Sequence, residues 1–401
     1  MEQRIGSGSK EFIALMAVLM SVVSISIDAM LPALATIGRA LNTTDPNQPQ
    51  YIISSIFIGM AIGQLICGPL SDALGRKKIL YGGLILYFLG SIICLLSSNI
   101  QTMLAGRFIQ GLGVSGPYIS CMSIIRDKFS GRPMARVMSL VMMIFIMAPV
   151  IAPALGQGII MILSWQYIFV LYIVYALGVM LWIYLRLDET LPPAHRIPFR
   201  FATIISGTKE VISNSQTMTY TICMGCMFGA LIGDLNSAQQ IFQVQFGVGE
   251  MFVVYFGLQA MAFGLSSHMN SKLVEKLGMR FLCGRALALM AFASIIFLIT
   301  HYIMPIQFWM FFVYGVVVLF CVGLLFGNLN ALALEPMGHI AGIASAIIGA
   351  LSNVVAIPLG TIIGQMYNGT LMPMVTGFSI LSFAALLIML IGDRKLEGHI
   401  P

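Results

Sequence analysis

Charged residues are scarce in this sequence. Asp, Glu, Lys and Arg make up 9% of the 401 residues, whereas hydrophobic residues make up 59%. Because average soluble domains carry about 25% charged residues, this composition excludes an ordinary soluble fold. It is typical of a chain that crosses a membrane several times, so the lipid bilayer is its first expected partner.

Cysteine is sparse as well, and one common nucleotide-binding motif is missing. The seven cysteines are scattered and all lie in apolar stretches, which excludes a disulfide framework. The chain contains no G-x-x-x-x-G-K-[ST] loop, and this argues against a pump that hydrolyses ATP. We therefore expect no cofactor.

The apolar residues fall into twelve segments, each near the length of about 20 residues that a membrane-spanning helix needs. The hydrophilic interval 187–215 separates six segments from six. The predicted fold is all-α, with a six-helix bundle over 1–186, a cytoplasmic linker over 187–215 and a second bundle over 216–401. The predicted spans are 11–35, 51–71, 79–97, 102–124, 135–157, 165–186, 216–238, 250–269, 281–300, 306–333, 340–364 and 370–392.

The net charge of +6 is explained by membrane topology. When both termini are placed in the cytoplasm, 19 of the 21 Lys and Arg residues fall in cytoplasmic segments, and the exceptions are Arg39 and Arg107. This is the asymmetry that orients membrane proteins. The positive charge thus predicts cytoplasmic termini and requires no nucleic-acid partner.

The two halves of the chain share landmarks in the same order. Asp28 and Asp234 are 206 residues apart, and the glycines of the loops LSDALGRKKIL and NSKLVEKLGMRFL are 203 apart. The Gly-Gln pairs of PALGQ and PLGTIIGQ are 208 apart. These spacings predict a duplicated six-helix unit, which is how many secondary transporters are built.

The loop GPLSDALGRKKIL, residues 68–80, joins the second and third spans. Gly68 permits close helix packing, and Gly75 permits a tight turn. Asp72 and Arg76 are four residues apart, so they can form a charge contact that exists in one conformation and breaks in another. This stretch resembles the signature loop of the major facilitator superfamily.

Other stretches narrow the resemblance. LAGRFIQGLGVSGP (104–117) is similar to the span-4 motif of proton-coupled members, and APVIAPALGQG (148–158) is similar to the span-5 motif of antiporters. SIDAMLPALA, SWQYIF and ETLPPAHR together resemble the bicyclomycin-resistance (Bcr/CflA) group. The chain departs from these patterns at Gln157, where the span-5 motif has a second glycine, and at Asp234.

Asp28 and Arg107 are ionisable residues inside apolar spans, at similar predicted depth in the outer half of the membrane. A carboxylate in a low-dielectric environment resists ionisation, and a neighbouring arginine favours it. We expect Asp28 to exchange protons, with Arg107 as its electrostatic partner. Two alternatives are that Arg107 reaches the outer head groups and that Asp28 is a structural hydrogen-bonding residue near its helix end.

Four further polar residues are candidate substrate contacts. Asp234 would bind a cationic substrate or a second proton, or else lie wetted at the outer mouth of its span. Gln110, Asn328 and Asn353 lie within apolar runs, where packing between helices explains each of them equally well.

The fifth span carries the features of a gate. Pro149 and Pro153 each remove a backbone hydrogen bond, and Gly156 lacks a side chain, so the helix should bend and pack closely. We count these residues, with those of the signature loop, as candidates for conformational gating. A kinked but passive span is the alternative.

A soft metal is an alternative substrate. Cys223, Cys226 and Met227 lie in TICMGCMFG at spacings that place Cys223 with each of the others on one helix face, and thiolate and thioether groups suit Cu(I). Methionine is also common in adaptable apolar linings, so we assign no metal site.

The resemblance implies a multi-pass protein of the bacterial inner membrane, working as a monomer. Its expected function is proton-driven export of drugs or other small, partly hydrophobic molecules by alternating access. The alternative is a proton-coupled transporter, importers included, of a metabolite, a siderophore or copper. We expect no enzymatic activity, since no cluster of catalytic groups can be placed at one depth. One proton crossing 100 mV supplies about 2.3 kcal/mol.

Overall fold

The apolar segments fold as α-helices in the computed structural model, which describes residues 10–196, 198 and 201–397. The chain divides into two units, Met1–Arg200 and Phe201–Pro401. The two chain ends that we predict to be cytoplasmic, residues 1–9 and 398–401, lie outside the described residues.

The first unit contains seven described α-helices. Helix α5 packs against α3 and α4, α4 packs against α7, and α1 packs against α6. The helices are α1 (Lys10–Asp28), α2 (Leu34–Ala40), α3 (Tyr51–Leu74), α4 (Arg76–Leu95), α5 (Ile100–Lys128), α6 (Gly131–Ile162) and α7 (Gln166–Arg186).

The second unit repeats this packing. Helix α12 packs against α10 and α11, α11 packs against α14, and α9 packs against α13. The helices are α8 (Phe201–Ser213), α9 (Ser215–Gln239), α10 (Phe252–Leu277), α11 (Met279–Ile303), α12 (Phe308–Leu334), α13 (Ala341–Gln365) and α14 (Met372–Glu397). A π-helical turn, Gln240–Gln245, follows α9.

Nine helical stretches of the described chain are long and apolar enough to cross a membrane. One of them, Phe308–Gln365, contains both α12 and α13. Large aliphatic side chains such as Leu181, Val354 and Ile380 are more than half exposed on the helix surfaces. Exposed apolar faces of this extent are those of a protein that contacts lipid.

The first predicted span, 11–35, is not one continuous helix. Helix α1 ends at Asp28, and the chain resumes in a 3₁₀ turn, Leu31–Ala33, that leads into α2. The reason is Pro32, which has no N–H group to bond the carbonyl of Asp28 four residues earlier. The break places Asp28 at a helix end inside an apolar stretch.

Small residues at matching places let neighbouring helices approach closely. In the first unit, a Cβ atom on Gly63 would meet the hydroxyl of Ser115 across the α3–α5 contact. In the second unit, a Cβ atom on Gly323 would meet the hydroxyl of Ser266 across the α10–α12 contact. The glycine lies on the first helix of the pair in the first unit and on the second helix of the pair in the second unit. Each contact nevertheless consists of one glycine and one serine.

Glycine and asparagine form the helix ends. Gly75 and Gly278 separate the paired helices α3–α4 and α10–α11 with φ of 106° and 80°, a region that favours glycine. Asn99 and Asn214 cap α5 and α9 by accepting a hydrogen bond from the backbone N–H three residues later, each at 2.9 Å.

The predicted linker, 187–215, contains helical structure. Its first part contacts α4 and α5 of the first unit through Glu189 and Thr190. Its second part is α8, which packs against α9 and α13, with Gly207 against the side chain of Ile343. Each part of this stretch therefore belongs to one of the two units.

We expect Gly59→Ala to destabilise the first unit. A Cβ atom there would strike the Phe108 carbonyl and lie 2.9 Å from the Leu112 nitrogen, both on α5. Overpacking of this kind costs about 1–3 kcal/mol of unfolding free energy, read as a lower Tm of the purified protein. Gly82→Ala on α4 is the control, because nothing lies within 4 Å of its added Cβ. Equal Tm values for the two variants would contradict the packing argument.

Candidate functional site

Asp28 lies at the break between α1 and the following 3₁₀ turn. Its side chain is buried, with 5% of the residue exposed. Within the described part of the chain, its carboxylate has no hydrogen-bond or ion-pair partner. The hydroxyl of Tyr172 on α7 lies within electrostatic range of it. Asp28 is therefore a buried acid with no hydrogen-bond or ion-pair partner among the described residues.

Arg107 on α5 is completely buried, and protein acceptors surround its guanidinium group. Nη2 donates to the Ser26 carbonyl at 2.9 Å, Nε donates to the Ile52 carbonyl at 3.3 Å, and Nη1 donates to Gln110 Oε1 at 2.8 Å. Arg107 thus joins α1, α3 and α5, and it does not extend to the membrane surface.

The structure places Arg107 beside the end of α1 without pairing it with Asp28. Its contact on α1 is the carbonyl of Ser26, two residues before the acid. The ion pairs that the structure describes include none between these two side chains. The predicted electrostatic partnership is therefore not an ion pair in this structure, although the guanidinium uses three of its five N–H donors.

A buried polar network extends from Arg107. Gln110 Nε2 donates to Ser91 Oγ at 2.7 Å, and Ser91 donates to the Tyr87 carbonyl at 2.7 Å. Tyr87 Oη is hydrogen-bonded to Ser26 Oγ at 2.8 Å. The Tyr172 hydroxyl donates to the Ile25 carbonyl at 3.1 Å and also lies 3.3 Å from the Ser26 carbonyl. We call the following residues the Arg107 network: Ser26, Tyr87, Ser91, Arg107, Gln110 and Tyr172.

The sequence analysis identified only Arg107 and Gln110 of this network. Ser26 lies in the quoted stretch SIDAMLPALA and could have been noticed as a polar neighbour of Asp28. Nothing in the sequence marks Tyr87 and Tyr172 as members of a buried network, because tyrosines are also common in apolar spans at the membrane interface. Gln110, predicted as a substrate contact, has both ends of its amide bonded within the network.

Helix α6 packs directly against the chain after Asp28. A Cβ atom on Gly156 would collide with the carbonyl of Ala29, the residue that follows the acid. Pro149 and Pro153 lie inside α6, which continues through both of them from Gly131 to Ile162. The predicted gating helix and the predicted proton site are therefore in contact.

The signature loop forms a cluster of ion pairs. Arg76 pairs with Asp72 one turn earlier and, through Nε, with Asp127 on α5 at 2.9 Å. Gly68 lies half-buried in α3, one turn before Asp72. The predicted Asp72–Arg76 contact is present, and Asp127 joins it as a second acceptor.

Glu189, from the stretch ETLPPAHR, binds the start of α4. Its carboxylate accepts the backbone N–H groups of Arg76 at 3.0 Å and Lys77 at 3.1 Å. An anion is stabilised at a helix N-terminus because the N–H groups there are unpaired. A Cβ atom on Gly75 would lie 2.5 Å from this carboxylate, so glycine is required for space as well as for φ.

Asp234 in α9 has surroundings like those of Asp28. It is 8% exposed, and among the described residues it has no hydrogen-bond or ion-pair partner. Tyr314 on α12 lies within electrostatic range of it. Tyr314 is itself hydrogen-bonded to Ser294 on α11 at 2.9 Å.

The two predicted asparagine contacts differ. Asn328 on α12 exchanges amide hydrogen bonds with Asn270 on α10, at 2.7 and 3.2 Å, and also donates to the Leu324 carbonyl. It therefore holds two helices together. Asn353 on α13 is 5% exposed and makes no hydrogen bond within the described chain.

The structure directs the candidate soft-metal ligands to different surroundings. Cys223 Sγ donates to the Ala385 carbonyl on α14 at 3.3 Å, whereas Met227 lines an apolar depression between α9 and α12. Among the described residues, no group of three or more His, Cys, Asp or Glu side chains is placed to hold a metal ion. No observation favours the copper alternative.

We expect Arg107→Lys to lower stability. A lysine ammonium cannot reach three separated acceptors in the fork geometry of arginine, so buried acceptors lose their donors. The expected loss is about 1–3 kcal/mol of unfolding free energy, measured as a fall in Tm. Arg39→Lys is the control, because Arg39 is exposed and makes a single 3.5 Å hydrogen bond with Thr36. A Tm for Arg107→Lys within error of this control would show that the network contributes nothing.

Two relatives resemble the chain over most of its length, and a third resembles it over less than half. It is 29% identical over 333 residues to an uncharacterized MFS-type transporter, YdgK, of Bacillus subtilis (strain 168), covering 82% of both chains. It is 28% identical to a bicyclomycin resistance protein homolog of Haemophilus influenzae, covering 90% of this chain and 91% of the relative. It is 31% identical to the multidrug resistance protein MdtL of Escherichia coli over 42% of this chain and 43% of MdtL. These relatives agree with the resemblance to the bicyclomycin-resistance group.

Solved structures share the fold at low sequence identity. The xylose transporter XylE from E. coli superimposes with a TM-score of 0.72 at 11% identity, over 98% of this chain and 97% of XylE. The human organic anion transporter MFSD10 superimposes with a TM-score of 0.68 at 14% identity, over 96% of this chain and 100% of MFSD10. These likenesses show that the chain shares the fold of these proteins. The sequence profile of the Major Facilitator Superfamily matches residues 15–361, and the chain therefore belongs to that family, as a multi-pass membrane transporter.

Proposed function

We propose that the chain is a proton-coupled antiporter that exports drugs or other small, partly hydrophobic molecules across the bacterial inner membrane by alternating access. In this proposal twelve helices span the membrane, in two six-helix bundles with both termini in the cytoplasm. The protein works as a monomer, and the proton gradient drives it without a cofactor. The names of its bicyclomycin- and multidrug-resistance relatives support export of drugs.

The observation that carries the proposal is the isolation of Asp28. A carboxylate of a residue that is only 5% exposed is costly as an anion when no ion pair among the described residues compensates its charge. Binding a proton removes that cost, and releasing the proton requires a compensating change nearby. A group with these properties can couple proton movement to a change of conformation.

Arg107 supplies the compensating charge in this proposal. Its guanidinium already contacts the carbonyl of Ser26, on the last turn of α1 before the acid. A small shift of the side chain from that carbonyl toward the carboxylate would stabilise ionised Asp28. The hydrogen bonds to Ile52 and Gln110 would keep α5 attached while the shift occurs.

The gating residues couple this site to the rest of the cycle. Gly156 holds α6 against Ala29, so a change at Asp28 is transmitted to the helix that carries Pro149 and Pro153. On the cytoplasmic side, the ion pair of Asp72 with Arg76 stabilises one conformation and is released in another. Gly68 and Gly75 supply the close packing and the turn that this loop needs.

Asp28→Asn should abolish coupled proton movement. In proteoliposomes with a pH dye and an imposed pH gradient, a panel of cationic, neutral and anionic drugs should evoke proton flux through the wild type and at least about tenfold less through the variant, because an amide cannot carry the proton. Asp45→Asn is the matched control, since Asp45 is exposed and its role as acceptor for the Asn47 N–H is kept by an amide oxygen. Drug-evoked proton flux at the wild-type rate in Asp28→Asn would refute the proposal.

Gly156→Ala should slow transport while Gly158→Ala does not. An added Cβ at Gly156 pushes α6 away from Ala29, whereas nothing lies within 4 Å of a Cβ at Gly158, two residues later in the same helix. The measurement is the drug-evoked proton flux of each variant, normalised to the amount of reconstituted protein. Equal flux in both variants would mean that contact between α6 and the Asp28 turn has no part in the cycle.

A further inference from the structure

Helices α11 and α14 of the second unit pack against each other in opposite directions. Arg280 Nε on α11 lies 4.0 Å from Asp393 Oδ1 on α14. One turn further along α11 and one turn back along α14, a Cβ atom on Gly284 would lie 3.6 Å from Cε of Met389. The first residues of α11 and the last residues of α14 therefore lie at the same end of the pair.

Each helix presents a row of exposed side chains at spacings of three and four residues, so each row occupies one side of its helix. Near the shared end, both rows combine apolar side chains with one arginine, and such a surface suits a molecule that is itself amphipathic. The rows there are Arg285, Leu289 and Phe292 on α11 and Leu387, Ile391 and Arg394 on α14.

The two arginines lie on the same side of the helix pair. Arg285 follows Gly284, Arg394 follows Asp393, and each of these preceding residues faces the partner helix. In a right-handed helix each residue is turned by about 100° from the one before it. Because the helices are antiparallel, the two turns have opposite sense when viewed from one end, and they bring both arginines to the same side.

The two arginine side chains extend toward each other along the pair. The contacts between the helices place the Cα atoms of Arg285 and Arg394 about 9 Å apart along the axes. Cα–Cβ bonds lean toward the N-terminus of their helix, which is toward the shared end in α11 and away from it in α14. The Arg285 guanidinium carbon lies 5.1 Å from the centre of the Phe281 ring, one turn nearer the shared end. One headgroup can therefore lie between the two cations.

Neither arginine is neutralised by a side chain that the structure describes. Arg285 and Arg394 form no ion pair or hydrogen bond within the described chain. The nearby carboxylate of Asp393 accepts the Tyr220 hydroxyl at 2.6 Å and lies 4.0 Å from Arg280. The two exposed guanidinium groups thus keep their charge available to a ligand.

The corresponding end of the first unit is arranged differently. Arg76 and Arg186 there both form ion pairs with carboxylates of their own unit. The residue that matches Arg285, seven positions after the glycine of the turn, is Gly82. The exposed arginine within an apolar row is therefore not explained by the repeated fold.

A phospholipid with a net negative headgroup fits this surface. A guanidinium group binds phosphate oxygens in a bidentate manner. A second arginine nearby favours a headgroup without a positive charge, because it would repel the ammonium of ethanolamine. The apolar rows can contact acyl chains, whereas free phosphate would leave them unused.

We propose that Arg285 and Arg394 bind the headgroup of an anionic phospholipid whose acyl chains lie along the exposed apolar rows of α11 and α14. Its phosphate binds the guanidinium groups, and its chains contact the side chains of Leu289 and Ile391. The inference goes beyond the proposed function, since the lipid binds without a substrate or a proton gradient.

The test compares two lipids with the same acyl chains. The full chain in detergent micelles is titrated with phosphatidylglycerol or phosphatidylethanolamine, and native mass spectrometry measures the fraction of protein that retains the lipid. Phosphatidylglycerol should bind at least about fivefold more tightly. Glycerol 3-phosphate, the same headgroup chemistry without chains, should not compete at equal concentration. Equal binding of the two lipids, or competition by glycerol 3-phosphate, overturns the proposal.

Variants assign the binding to these residues. Arg285→Gln and Arg394→Gln should each weaken phosphatidylglycerol about fivefold and leave phosphatidylethanolamine unchanged, which also shows that the variants fold. Arg285→Lys keeps the charge and should retain most of the affinity. Lys272→Gln is the matched control, because Lys272 is exposed near the same end of the unit but on α10.

Two outcomes with these variants contradict the proposal. Wild-type affinity for phosphatidylglycerol in both Arg285→Gln and Arg394→Gln would show that the arginines do not bind the lipid. An equal loss in Lys272→Gln and Arg285→Gln would show that the lipid responds only to the net charge of the protein. Either result leaves proton coupling at Asp28 unaffected, because no gradient and no drug is present in the measurement.

Discussion

The burial of Arg107 in the first unit is the constraint on which the surrounding structure depends. A guanidinium that water cannot reach must find acceptors within its own bundle, and Arg107 finds them on α1, α3 and α5. Helix α1 can offer a carbonyl there because it is near its end. The break at Pro32 places Asp28 at the end of α1. One buried charge and one proline thus define the region that we assign to proton coupling.

The two units share their helix packing and differ in the buried polar side chains. Ser91 and Ser294 each donate to the carbonyl four residues earlier, and each is bonded to a side chain of the following helix. That side chain belongs to Gln110, bonded to a buried arginine, in the first unit and to Tyr314, within an aromatic cluster, in the second. Similar backbones therefore surround two buried acids with different electrostatics.

The loop between α3 and α4 shows how distant segments complete a motif. Its arginine is held between Asp72 and Asp127, and its backbone N–H groups are bound by Glu189, 113 residues after Arg76. The cluster ties the start of α4 both to the end of α5 and to the chain that follows α7.

The sequence by itself determined the class of protein, the apolar segments and the duplicated landmarks, and it singled out Asp28, Arg107 and Asp234 as candidate functional residues. These conclusions follow from local properties: hydropathy along the chain, the spacing of repeats and the cost of a charge in an apolar span. Only the tertiary structure decided the break at Asp28, the acceptors of Arg107 and the roles of Tyr87, Glu189 and Tyr314, because these depend on which distant residues meet. It also decided that Gln110 and Asn328 are bonded within their units while Asp234 is not. The sequence around a polar residue in an apolar run is similar whether the residue joins two helices or remains free to contact a ligand. Only the hydrogen-bond partners in the structure distinguish these two roles.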